Sequence, residues 1–446
     1  MLQNIYLNLP RSLQNASLSI FGASVYRERF SGSIPEEYRG DLTLLGNFNE
    51  QDFIAQTARL RTLVSHCKKY VPFYKPHLRN VDPDKIFAAD LDNILPIITK
   101  VDVLENSAQF ISTHPEILAN LKTANTSGSS GTPLSIKYNA ESRRINYKIY
   151  NAVLNQFGCN YRSKSTTFAG RILYKAPNNN PDRYDFFNRT QYISSYFISE
   201  KNVKHYVDAL NHWQPEFIDT YPSAIVELLK LANERGLKFA FSPKVILTSS
   251  ENLSSEARSL IENSLNTTVV DHYGCTEMAI NAFSNGQRYY ANPRFSILEL
   301  QHSFDNQYEV VTTGLLNFGM PLLRYKIGDM ISRSSSESNY IFDSVDGRLD
   351  DVIITPEGKK VGRMDPAFKG VDGIVQSQIV QHRIGAISVY IVLDKSKPGL
   401  FDKSLLISNI KSRTSDQIEV DIIITNSIEK GANGKLRAVV SKIAKQ

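Results

Sequence analysis

Apolar positions recur at helical spacing through the first quarter of the chain. From Gln51 to Tyr70, Phe53, Ile54, Leu60, Leu63, Val64 and Cys67 fall on one face of a 3.6-residue repeat, with Thr57 the one polar residue on that face. Val71-Pro72-Phe73 ends this helix, because proline has no N–H to continue it. Leu95 to Lys100 reads as a short extended piece, and Asp102 is available near the next helix start. Residues 1–120 are therefore expected to be mainly helical.

From about Leu121 the pattern becomes alternating strand and helix. Val245-Ile246-Leu247-Thr248 is a short apolar strand. Ala257, Leu260, Ile261 and Leu265 then share a helix face, with Ser254 or Ser255 as the cap, and Thr268 to His272 reads as the next strand. That is the βαβ rhythm of an α/β sheet. Ser334 to Asn339 is polar and loop-like, and after Gly347 the character changes. Val352–Thr355 and Lys359–Val361 flank Pro356-Glu357-Gly358 as a hairpin, Ile387–Leu393 is a strand, Phe401–Ser412 a helix and Ile418–Thr425 a strand. The fold class expected is α/β. A large N-terminal body spans 1–346, helical over 1–120 and mixed βαβ sheet over 121–346. A small mobile α+β lid spans 347–446.

Composition narrows the class. The chain has 446 residues, 41% hydrophobic and 22% charged, enough for two or three domains around sizeable cores. A net charge of +6 is mild at this length; it suits an enzyme handling anions, and no dense basic run marks a nucleic-acid partner. No stretch reaches the ~18 apolar residues of a membrane span, and Met1 to Pro10 lacks the positive cluster of a signal peptide. Cys67, Cys159 and Cys275 are odd in number and far apart, which argues against a disulfide framework or zinc site and fits a reducing cytoplasm. A monomer or homodimer is expected.

Five segments carry candidate chemistry. Thr126-Ser127-Gly128-Ser129-Ser130-Gly131-Thr132-Pro133 has the glycines and hydroxyls of an anion-binding nest. It is neither a Walker loop nor a dinucleotide fingerprint, and by composition it reads equally well as a flexible surface loop. Asp271-His272-Tyr273-Gly274-Cys275-Thr276-Glu277 follows a strand: Tyr273 is suited to an adenine face, Thr276 to a phosphate and Glu277 to Mg²⁺. His272 and Cys275 invite a catalytic dyad, but adjacency in sequence does not support one. In Arg324-Tyr325-Lys326-Ile327-Gly328-Asp329 the final carboxylate suits a ribose diol. Gly347-Arg348-Leu349-Asp350-Asp351 lies at the expected boundary, and Gly434-Lys435-Leu436-Arg437 in a basic loop near the C-terminus.

In this order and separation the segments resemble the adenylate-forming superfamily of acyl-coenzyme A synthetases, luciferases and peptide-synthetase adenylation domains. More narrowly, they are similar to its phenylacetate–coenzyme A ligase-like branch, and within it to capsular-polysaccharide-biosynthesis proteins of the CapK type. The resemblance runs from Val71-Pro72-Phe73-Tyr74 through Tyr221-Pro222-Ser223, Ser249-Ser250-Glu251, Gly358–Gly362 and Gln378–Gln381 to Arg437. It implies that the loop from Thr126 to Thr132 holds ATP phosphates. Ser250 and Glu251 border the adenine, on which Tyr273 stacks. Thr276 meets the α-phosphate, Glu277 holds Mg²⁺, and Asp329 binds the ribose with Arg348 close by. Asp350 is the implied hinge of the lid and Lys435 the lysine it inserts.

The sequence also departs from the superfamily pattern. Leu134 stands where many members carry lysine, a role that Lys137 does not take over, and Ser129-Ser130 replaces the usual Thr-Thr. No aromatic motif for the carboxylate pocket is matched. The resemblance implies ATP-dependent adenylation of a carboxylic acid, then acyl transfer to an amine or hydroxyl acceptor in surface-polysaccharide assembly. The alternatives are a coenzyme A ligase of the phenylacetate type and a degenerate nucleotide-binding module. The pocket is expected partly within 160–225. There Arg162, Arg171, Tyr174, Arg183, Tyr184 and Arg189 favour a polar substrate or, on the plainer reading of most of them, cover the surface.

Overall fold

The helical start begins from local capping. Asn49 accepts the Asp52 N–H at 3.2 Å and Asp52 accepts the Asn49 N–H at 3.0 Å, so the helix Glu50–Tyr70 opens with a closed capping box. Leu60, Leu63, Val64 and Cys67 are buried as their spacing predicts, but Phe53 and Ile54 are exposed. Their places on the inner face are taken by Gln56 and Arg59. Gln56 reaches the Pro293 carbonyl and the Tyr340 hydroxyl, both at 2.7 Å. Arg59 reaches the Leu315 carbonyl at 3.1 Å and the Glu141 carboxylate at 2.5 Å. Polar groups with such partners are buried at little cost, which hydrophobic spacing alone does not register. A second capping box, Thr99 with Asp102, starts the helix Lys100–Glu105 just after the extended piece at Ile98.

The computed structural model describes the chain apart from residues 1, 40–41, 43–44, 47, 127–133, 170–172, 175–179, 196, 305, 335–337, 349–352, 359, 362–363, 369, 395–398, 430–436 and 444–446. Strands β1 (Lys122–Asn125) and β2 (Ser135–Tyr138) pair antiparallel across the Thr126–Pro133 segment. Then come β3 (Ser165–Ala169), β4 (Asp182–Asp185), β5 (Thr190–Ser194), β6 (Phe217–Thr220), β7 (Val245–Ser249), β8 (Thr268–Gly274), β9 (Asn281–Ser284) and β10 (Tyr289–Ala291). Strands β11 (Ser296–Phe304), β12 (Gln307–Gly314) and β13 (Tyr325–Ser332) follow, with β14 (Ile341–Phe342) and β15 (Ser344–Arg348). Among the described residues the large sheet has the order β14-β10-β9-β8-β7-β6-β3-β5-β4, and a second sheet the order β11-β12-β13-β15.

Strands β5, β3, β6, β7 and β8 run parallel, linked in part by the helices Pro222–Glu234 and Ser255–Leu265. Those two helices and Val203–Trp213 cover one face, where Ile218, Ile246 and Val269 pack. The helix Ala140–Gln156 covers the other, placing Ile145, Ile149 and Val153 on Leu247, Val270 and Phe283. A separate C-terminal unit holds the hairpin β16 (Ile353–Ile354) and β17 (Lys360–Val361). Its sheet joins β18 (Ile374–Arg383), β19 (Ala386–Leu393), β20 (Glu419–Ile424) and β21 (Val439–Ser441) in the order β20-β19-β18-β21. Leu406 and Ile410 of the helix Lys403–Arg413 pack on Ile379, Val389 and Ile391. The mixed α/β body and small α+β unit are those expected.

Two of the side chains assigned to the surface are interior. Tyr174 and Arg183 are buried. The Arg183 guanidinium donates to Gln14 Oε1 and to the carbonyls of Asn180 and Asp182. It is buried because the helix Arg11–Phe30 brings amides, not apolar groups, onto β4: Asn15 Oδ1 likewise accepts the Tyr184 N–H at 3.0 Å. Arg162 and Arg189 are exposed, Tyr184 is half-buried and Arg171 lies outside the described residues.

At Gly22 in that helix, an added Cβ meets Asp185 Oδ2 at 1.9 Å. Asp185 is buried and held by the Asn188 side chain at 2.7 Å, so it has no free path away. Gly→Ala within a helix ordinarily gains up to about 1 kcal/mol. Here Gly22→Ala is expected to destabilise by about 1–3 kcal/mol, as overpacking does. The midpoint of urea unfolding checks this, with an unchanged or raised midpoint counting against the contact.

Candidate active site

The carboxyl ends of β6, β7 and β8 lie side by side, because Thr220 pairs with Thr248 and Ser249 with His272. Open parallel sheets bind ligands at this end. Beyond β7 the chain turns through Ser250, whose φ of +72° is in the left-handed region. Glu251 then accepts the Ser223 N–H at 2.9 Å and the Ser223 hydroxyl at 3.0 Å. Its carboxylate thus caps the helix Pro222–Glu234, which ties the predicted adenine-side turn to the Tyr221-Pro222-Ser223 segment.

Beyond β8 the chain turns again. The Met278 N–H meets the Cys275 carbonyl at 3.1 Å, and the Ala279 N–H donates to Cys275 Sγ at 3.4 Å. Burial raises the Cys275 thiol well above its ordinary pKa, and the His272 imidazole approaches Asn281 at 3.3 Å and stacks on Phe283. The protonated thiol and the neutral ring, lowered to about 4 by burial, have separate partners, so no activated cysteine results.

The second sheet completes the site. Tyr273 donates its hydroxyl to Asp329 Oδ2 at 2.7 Å, and Tyr325 donates to Glu277 Oε1 at 3.5 Å. Glu277 and Asp329 are only 8% and 9% exposed. Strand β13 supplies both partners, four residues apart. Its pairing with β12 is bulged between Lys326 and Met330, where Gly328 takes a φ of +84°. A bulge re-aims the following side chain, here that of Asp329. The backbone of Arg348 pairs opposite Asp329 in β15. Arg324, just before β13, binds both oxygens of Glu299 at 3.0 Å and the Leu95 carbonyl at 2.7 Å, which moors this strand to the helical start.

Thr126 is buried at the base of its hairpin, where its hydroxyl accepts the Leu134 N–H at 2.9 Å. Lys137 bonds back to Thr123 at 2.7 Å within the same hairpin. Ser127, Gly128, Ser129, Ser130, Gly131 and Thr132, the hinge residue Asp350 and Lys435 lie outside the described residues, as does the Arg348 side chain. Just past Lys435, the Arg437 carbonyl is held by the Gln378 amide at 2.9 Å, and Gln381 exchanges two hydrogen bonds with Ile354 at 2.7 and 2.8 Å. These two glutamines brace the C-terminal unit rather than face a ligand. Among the described residues no three His, Cys, Asp or Glu side chains gather as a metal site, and no helix is long and apolar enough to cross a membrane.

Sequence reasoning missed Tyr325 as the partner of Glu277 and Asp219 beside Tyr150. Tyr325 precedes Asp329 by four residues, a same-face interval on a strand. Asp219 is a lone carboxylate in the short strand Phe217–Thr220, which is unusual enough to flag.

Solved acyl-CoA ligases share this fold. The 2-hydroxyisobutyryl-CoA ligase, solved in its postadenylation state with 2-HIB-AMP, superposes with a TM-score of 0.64 over 93% of this chain and 94% of that one, at 16% identity. The ATP-bound RpMatB-BxBclM chimera B3 gives 0.51 over 93% of this chain and 97% of its own, at 12% identity. Among individual proteins, Protein CapK of Staphylococcus aureus is 27% identical over 459 aligned positions, which cover 99% of this chain and 100% of that protein. Residues 353–442 match the family described as CapK C-terminal domain. The similarity to CapK thus runs along the whole chain, and the family match covers its C-terminal unit.

The site carries a pH signature. Burial lowers His272 to about 4, below its unfolded value of about 6.5. The unfolded chain then binds the extra proton, so this stabilisation is complete above pH ~6.5 and lost as pH falls toward 4. Burial also lowers His66 to about 4, in the same sense, whereas Asp219, raised to about 6, acts in the opposite one. Urea midpoints should fall between pH 7 and 5, and His272→Asn should flatten that dependence. An equal slope in the variant would show that His272 titrates normally in the folded chain.

Proposed function

We propose that the chain is an ATP-dependent, AMP-forming ligase acting on a small-molecule carboxylic acid. A carboxylate oxygen attacks the α-phosphorus, the bond to the β-phosphate bridge breaks, and pyrophosphate leaves with the electron pair. An amine or hydroxyl acceptor, in surface-polysaccharide assembly, then attacks the acyl carbonyl and releases AMP. The observation that carries this reading is the contact of Tyr273 with Asp329 at the carboxyl end of the parallel sheet. A tyrosine ring and a nearly buried carboxylate, the pair this reading needs for a base and a ribose, are held together there, near Glu277.

The residue roles follow from that frame. Tyr273 backs the adenine, next to Ser250 and Glu251, and Asp329 accepts from the ribose hydroxyls with Arg348 alongside. Thr276 donates to the α-phosphate, and the hairpin loop from Thr126 to Thr132 steadies the β- and γ-phosphates. Glu277 fits Mg²⁺, which takes one or two carboxylates and otherwise phosphate and water oxygens; the ion would supply charge neutralisation on the phosphates. The body spans 1–346 and the lid 347–446, turning about Asp350 and delivering Lys435 to the reacting centre. Two anions meet in this reaction, so positioning and charge stabilisation dominate. A second reading, transfer to coenzyme A, draws support from the thioester-forming ligases that share the fold.

Carboxylate-dependent ATP–pyrophosphate exchange tests the first half-reaction. Its absence from folded, ATP-binding protein across aromatic, amino and uronic acids would leave a nucleotide-binding module without turnover. Product formation with coenzyme A alone would favour the ligase reading of the second half. Lys435→Ala should lower exchange on the order of 10²–10³-fold with little change in ATP affinity; equal activity would remove Lys435 from the centre. Asp329→Ala should weaken ATP binding by roughly tenfold or more, as loss of hydrogen bonds to a charged group does. Calorimetric titration with ATP reads this, and unchanged affinity would take Asp329 out of the ribose site.

A further inference from the structure

Side chains alternate across β8, and its end therefore presents two different surfaces. Tyr273 faces the second sheet and Asp329. His272 and Gly274 face the other way, with Asn281 and Phe283 opposite them on β9. The same face continues through Ser249 and Leu247 of β7 to Asp219 of β6, since Leu247 pairs with both Asp219 and Val270. The helix Ala140–Gln156 covers this face and adds polar groups at its edge. Asn146 accepts from the Asn281 amide at 3.3 Å, and Tyr150 donates to Asp219 Oδ2 at 3.4 Å. Gly274 keeps the surface open to the nucleotide motif, because a Cβ there would lie 2.9 Å from the His272 ring.

Two features of this edge point to a ligand. Asn281 is 3% exposed, and its Oδ1 has no hydrogen-bond partner among the described residues although its Nδ2 reaches both Asn146 and His272. A buried acceptor left unpaired costs about 1–3 kcal/mol unless something donates to it. Asp219 is a second acceptor at this edge, half-buried, with its Oδ2 bonded to the Tyr150 hydroxyl. An apolar acyl chain at this edge would leave the Asn281 acceptor unsatisfied.

We propose that this edge seats the chain of the acid being activated, and that it selects a carboxylic acid bearing hydrogen-bond donors, hydroxyl or ammonium, through Asn281 near the reacting carboxyl and Asp219 farther along. This rests on the adenylation reading and names its substrate class. Rejection is the stronger half of the selection, since a site built to pair polar groups penalises an analogue that lacks them.

The test uses the full-length protein and four acids: hexanoate, phenylacetate, gluconate and lysine. Pyrophosphate exchange should favour gluconate or lysine over hexanoate and phenylacetate by tenfold or more. Asn281→Leu should narrow that ratio about tenfold by relieving the penalty on the apolar acids. Asp219→Ala should lower exchange with lysine, with gluconate or with both, and unchanged exchange with both would remove Asp219 from the site. Equal or better exchange with hexanoate or phenylacetate would overturn the proposal, as would an unchanged ratio in Asn281→Leu, which would mean that Asn281 holds only a water. Calorimetric binding of the four acids in the presence of AMP gives the same ranking without turnover. Polar acids binding without exchange would sink the adenylation reading and leave the selectivity standing; no preference in binding would sink the selectivity itself.

Discussion

The hydrogen bond from Tyr273 to Asp329 joins two sheets that share no strand pairing there. Tyr273 ends β8 of the large sheet and Asp329 lies on β13 of the second one, 56 positions later. It ties the end of β8, and so the start of the turn carrying Thr276 and Glu277, to the second sheet. With it, and with Tyr325 reaching Glu277 from the same strand, the turn is fixed from both sides. A neutral hydrogen bond contributes only about 1 kcal/mol to stability. Its value lies in geometry, because both groups are nearly buried and neither has room to reorient.

The surrounding structure supports that contact by unglamorous means. Arg324 spends its guanidinium on Glu299 and the Leu95 carbonyl, anchoring the start of β13 to the helical region. Glu251 spends its carboxylate on the N-terminus of a helix, fixing the turn after β7. Both residues sit inside segments that the sequence marks as carrying chemistry, and both have scaffold partners. Membership of a motif and contact with a ligand are separate properties, and only the partners of each side chain distinguish them.

Strand alternation divides the labour at the end of β8. Odd and even residues face opposite sides, so in the three-residue run from His272 to Gly274, Tyr273 meets the second sheet while His272 and Gly274 lie on the face toward Asn281 and Phe283. Under the helix Ala140–Gln156 the same alternation places Asp219, His272 and Asn281 on one face, a polar edge within an otherwise apolar layer.

By itself the sequence determined the order of elements, the two-part organisation and the segments that carry the chemistry, because periodicity, capping and glycine-rich turns act over a few residues. The strand Val245–Ser249, the helix after Ser254 and the C-terminal hairpin all form where local pattern places them. Tertiary structure decided which residues meet. It buried Gln56 and Arg59 in place of Phe53 and Ile54, drew Tyr174 and Arg183 into the interior, and set Tyr325 against Glu277 and Tyr150 against Asp219. Those outcomes depend on partners 32 to 284 positions away, as with Tyr174 and Tyr206 or Gln56 and Tyr340. A polar side chain is buried or exposed according to whether such a partner is present, and no window along the chain contains that information.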